Sequence, residues 1–61
     1  MKKFIKLTCF DNTPVVVNLD EVYLFETITR MEIPFVQISF IEGNSIIVKE
    51  NCDLIYMMIN S

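Results

Sequence analysis

The sequence predicts a mainly β domain of the α+β class, a bent five-stranded antiparallel sheet or partial small barrel with one C-terminal helix. Three observations predict it. Apolar residues alternate with polar ones at the period of a strand in successive short runs, and Asp, Asn, Pro and Gly interrupt those runs at short intervals. Only the residues after Glu50 change to helical spacing. With 61 residues and no linker, repeat or low-complexity tract, the chain reads as a single domain, 1–61.

The first strand is read over residues 3–10, with Ile5, Leu7 and Cys9 on one face and Phe4, Lys6, Thr8 and Phe10 on the other. Asp11, Asn12, Thr13 and Pro14 then form a turn, because Asp and Asn side chains bond their own backbone and tolerate left-handed dihedrals. Val15, Val16 and Val17 are β-branched and form the second strand of a hairpin. Asn18 followed three positions later by Glu21 has the spacing of a helix cap, here for a single turn.

Residues 22–29 alternate again, Val22, Leu24 and Ile28 against Tyr23, Phe25 and Thr27, and large groups on both sides predict a strand covered on both faces. Arg30 to Pro34 are expected to form a connection of about five residues, since proline disfavours helix before it and donates nothing to a ladder. In the next strand, Phe35 to Ile41, Val36, Ile38 and Phe40 face inward. Glu42, Gly43 and Asn44 turn the chain, with the lone glycine where a positive φ is needed, and Ile46 and Val48 point inward from the fifth strand. Asn51 caps the helix, Asp53 complements its dipole, and Leu54, Ile55, Met58 and Ile59 draw one apolar stripe to be docked on the sheet.

A chain this short buries only about 60% of its unfolded surface, so a disulfide, a metal or self-association is the usual support. Cys9 and Cys52 show no CxxC spacing and read as reduced, weakly hydrophobic side chains, which places the chain in a reducing cytoplasm. Histidine is absent, so a metal site has almost no ligands, and no cofactor is expected. The basic start at Met1, Lys2 and Lys3 leads to no apolar signal-peptide core, and no stretch reaches the length of a membrane span. Hydrophobic residues at 52% exceed the usual share of about 45–50%, so apolar surface is left over for a homo-oligomer or a protein partner.

Catalysis is poorly supplied, and the chain is read as a non-enzyme. There is no histidine to act as base, and Cys9 has neither a histidine partner nor a CxxC context. The carboxylates sit mostly at turns and strand ends, where they cap and solubilise; Glu26, within a strand, reads as an inward charge protecting an edge, with a buried functional acid as the alternative. A net charge of −3 disfavours nucleic acid despite the basic end formed by Lys2, Lys3 and Lys6. Tyr56 and Met57 lie off the centre of the helix stripe and, with Phe10 and Tyr23, are the candidate interface residues.

The order Ile5-Lys6-Leu7-Thr8, then Val17-Asn18-Leu19-Asp20, then Ile38-Ser39-Phe40 to Gly43 and Val48-Lys49-Glu50 before a terminal helix resembles the small flagellar FlbD proteins and the related swarming-motility SwrD proteins. The resemblance spans nearly the whole chain through short hydrophobic patterns, and it departs from the family at the glycine-free first turn and between Arg30 and Pro34. It implies a bacterial or phage protein without catalytic residues. The expected function is a self-associating, non-catalytic adaptor, in motility on the family's example. The alternatives are a ligand-binding or sequestering module with its site between subunits, and, disfavoured by charge, a nucleic-acid-binding small barrel.

Overall fold

The computed structural model describes residues 3–61. Five strands and the terminal helix fall close to where the residue pattern puts them: β1 Phe4–Thr8, β2 Pro14–Asn18, β3 Val22–Arg30, β4 Ile33–Phe40, β5 Ser45–Val48 and α1 Cys52–Ile59, with one 3-10 turn over Leu19–Glu21. Asn18 caps that turn, its side chain accepting from the Asp20 N–H at 3.0 Å, and Asn51 caps α1 by accepting from the Leu54 N–H at 2.8 Å. The turn after β1 has no glycine, and Asn12 takes its left-handed place at φ 72°. Gly43 does the same between β4 and β5 at φ 104°. Asp11 accepts from the Thr13 N–H at 3.1 Å, and the Thr13 side chain and then this N–H hold its carboxyl below the ordinary aspartate range.

The strands do not form the single five-stranded sheet expected from the sequence. β1 and β2 pair as one antiparallel hairpin, β3, β4 and β5 form a separate three-stranded antiparallel sheet, and no barrel closes. The reason is the brevity of β5: its four residues pair with β4, and among the described residues a single bridge, Cys9 with Val48, reaches the hairpin. The Lys49 N–H donates to the Thr8 carbonyl at 2.8 Å, the Phe10 N–H donates to the Ile47 carbonyl at 3.1 Å, and the Glu50 carboxylate accepts from the Thr8 N–H at 2.9 Å. The Lys49 ammonium also donates to the Asn12 side chain. The Lys-Glu pair after β5 is therefore a clasp between the two sheets.

Removing the Glu50 acceptor strands the partly buried Thr8 N–H, so Glu50→Ala is expected to destabilise by about 1–3 kcal/mol. Glu50→Gln keeps an acceptor and should cost less. Urea midpoints at constant slope measure both.

The connection after β3 is two residues, Met31 and Glu32, and not five, because both adopt left-handed dihedrals (φ 52° and 66°) and close a primed hairpin turn between Arg30 and Ile33. Nothing in this pair announces such a turn, which ordinarily takes Asn-Gly, and Pro34 sits inside β4 beyond the reach of β5. A left-handed dihedral costs a non-glycine residue about 1–2 kcal/mol. Replacing Met31 and Glu32 by Asn and Gly is expected to stabilise the protein by about 1 kcal/mol after the added freedom of the unfolded glycine is subtracted, again read from the urea midpoint.

A bulge at Tyr23 breaks the alternation of β3, so Val22 and Phe25 both face the core while Leu24 turns outward. β3 is consequently not covered on both faces: Leu24, Glu26, Thr27, Thr29 and Arg30 are exposed. Among the described residues the core is built from Ile5, Leu7, Val17, Val36, Ile38, Val48 and Ile55, and contains no buried polar residue. α1 packs against β3 and places Ile55 in the core, with Cys52, Met58 and Ile59 at the margin. Leu54, expected in the apolar stripe, is 45% exposed, and Cys52 replaces it because 52, 55 and 59 share a face at helical spacing.

Candidate interaction surface

The four expected interface residues are all exposed, at 61% for Phe10, 76% for Tyr23, 70% for Tyr56 and 67% for Met57, but they do not gather on one patch. Phe10 follows the clasp between the sheets and joins Met31, Ile33, Phe35, Ile47 and Arg30 around an apolar groove of about 240 Å³. Register explains why: Arg30 opposes Ile33, Ile28 opposes Phe35 and Gln37 opposes Ile47, so these residues share the outer face of the three-stranded sheet. Tyr23, lifted by the bulge, borders a second groove of about 580 Å³ with Lys3, Leu19, Asp20, Leu24, Phe25 and Ile59. Tyr56 and Met57 lie on the solvent side of α1 and line neither groove.

Sequence reasoning missed Met31, Ile33 and Phe35 as a cluster. They belong to a hairpin tip whose turn carries no recognisable residue, and a five-residue loop would have scattered them. Met31 is 95% exposed, which leaves a flexible thioether standing in water at the lip of the groove.

The charged candidates have ordinary surface roles. Glu26 is exposed and faces outward opposite Gln37, a correction to the inward orientation expected from its neighbours, which follows from the change of phase at the bulge. Of the basic end, Lys2 lies outside the described residues, Lys6 is exposed on β1, and Lys3 is 3.4 Å from Asp20 in an exposed ion pair. Such a pair contributes little in water. Cys9 and Cys52 are free and half-buried, and the Cys52 Sγ lies 3.3 Å from the Thr27 hydroxyl. Among the described residues no three His, Cys, Asp or Glu side chains stand together in a way that would hold a metal ion, and no helix is long and apolar enough to cross a membrane.

Comparison with protein families, curated proteins and solved structures finds no match.

Proposed function

We propose that this chain is a small, non-catalytic interaction protein that associates with copies of itself and works as an adaptor in a bacterial or phage assembly. The observation that carries this reading is the apolar groove around Phe10, Met31, Ile33, Phe35 and Ile47, on the side of the three-stranded sheet away from the core. Exposed apolar residues scattered singly are ordinary, whereas several contiguous ones from three segments of chain mark a contact surface. Phe4, Tyr23, Leu24, Ile41, Tyr56 and Met57 add to the apolar area in water, a large load for a domain whose core, among the described residues, holds seven buried side chains. A second copy supplies the same surface at the same concentration, and closed two-fold pairing is the commonest way for such a surface to be covered. Two free thiols suit a reducing cytoplasm. The likeness to FlbD and SwrD chains favours motility as the setting.

One observation favours a ligand-binding reading: the groove beside the bulge has the volume of a small-molecule site and combines apolar walls with Lys3 and Asp20. Native mass spectrometry separates the two. Bare dimers or higher oligomers are expected; a monomer overturns self-association, and added mass on either species moves the function to the ligand.

A further inference from the structure

Among the described residues β3 is the longest strand and lies at the edge of its sheet, with one side unpaired. The direction of its backbone groups follows from the clasp. The Ile47 carbonyl accepts from Phe10 and the Lys49 N–H donates to Thr8, both on the side of the hairpin, so Ile46 and Val48 turn toward β4. Val36 and Ile38, opposite them, therefore turn toward β5, and Thr27 and Phe25, opposite those in turn, direct their N–H and C=O groups away from β4 to the free edge. Thr29 does likewise, and Thr27 and Thr29 are both exposed. A strand edge of this kind is a template for another strand.

Resting on the self-association proposed above, we infer that a second copy of this chain occupies that edge, β3 against β3 in antiparallel order, with the two-fold axis passing through Ile28. A dyad between two residues would set the outward groups of Thr27 against groups that point back to β4, so the axis passes through a residue. At Glu26 it would oppose Glu26 to its own copy, at Arg30 it would oppose two arginines, and at Thr29 it would oppose Glu26 to Glu32. At Thr27 it leaves both charges without a charged partner, and at Phe25 or earlier it runs into the bulge. At Ile28 it places Glu26 opposite Arg30 of the second copy, twice by symmetry, and lets Thr27 and Thr29 exchange backbone hydrogen bonds. Cross-strand opposite charges and threonine pairs favour pairing, and like charges directly opposite disfavour it. Pairing in this register joins the two three-stranded sheets into one, with both α1 helices on the same face.

The test is a charge swap read by analytical ultracentrifugation and native mass spectrometry. Glu26→Arg and Arg30→Glu each turn two attractive contacts into repulsive ones and should weaken the dimer about tenfold. Both side chains are exposed, so the fold is expected to persist. In a mixture of the two variants, the arginine introduced at position 26 of one chain faces the glutamate introduced at position 30 of the other, and the unaltered Arg30 faces the unaltered Glu26. A heterodimer should therefore form at wild-type affinity, and the double variant should regain the homodimer. A structural effect of either substitution would not be rescued by mixing. If the wild type dimerises and neither reversal changes its affinity, the β3 register is wrong while self-association through another surface stands. If the wild type stays monomeric, self-association itself falls.

Discussion

Ile38→Ala is expected to destabilise the domain by about 2–5 kcal/mol, enough to leave much of the protein unfolded at ambient temperature. Ile38 is fully buried in β4, the central strand of its sheet, opposite Phe25 on one side and Ile46 on the other. Truncation removes the transfer energy of the lost carbons and leaves a void that neighbours on two strands are held from filling. A 61-residue chain has a small total stability to draw on, so a loss of this size approaches the whole. Ile41→Ala is the control, since Ile41 is 66% exposed and its truncation should change stability by no more than about 0.5 kcal/mol. Thermal denaturation followed by circular dichroism at one fixed concentration reads both, because association would add a concentration-dependent contribution. A midpoint lowered by at least about 10 °C for Ile38→Ala and nearly unmoved for Ile41→Ala is the expected result. Equal effects would mean that Ile41 is buried against another copy.

The contrast between these isoleucines shows how far the residue order reveals the fold. Strict alternation over Val36, Gln37, Ile38 and Ser39 discloses which side faces the core, because a strand buried on one face has no other way to place them. The caps at Asn18 and Asn51 and the turn at Gly43 are equally legible, since each residue type has a specific local bond or dihedral to supply. Alternation fails at β3, where the extra residue at Tyr23 reverses the phase without any glycine to announce it. It fails again at Met31 and Glu32, which adopt a turn that their side chains do not favour and do so because the pairing of β3 with β4 requires it. These two silent irregularities decide the outer surface. The first turns Leu24 and Glu26 to solvent, and the second brings Ile33 and Phe35 beside Phe10. The split into two sheets was hidden for a different reason: whether β5 completes a continuous sheet depends on a few hydrogen bonds at its end, and periodicity carries no information about them.

Ile55→Ala is expected to cost about 2–5 kcal/mol and to release α1 before the strands. α1 has eight residues, far below the roughly 12–15 that an isolated helix needs even to be marginal, so its structure depends on docking. Ile55 is its one fully buried side chain, 1% exposed, and packs with Ile38, Val36 and Leu7 in the core. Its loss removes the main reason for Cys52, Met58 and Ile59 to stay at the core margin, and the Asn51 cap alone contributes only about 1 kcal/mol. Hydrogen exchange by NMR should show the amides of residues 55–60 losing protection while those in the β3–β4 ladder retain theirs. Met57→Ala should leave both sets unchanged, because Met57 is 67% exposed and truncation there removes little from the monomer. Loss of protection in both regions at once for Ile55→Ala would show that the helix and the sheet unfold as one unit. In that case the helix is part of what holds β3 in place, and any contact that covers α1 also stabilises the edge at which a second copy is proposed to pair.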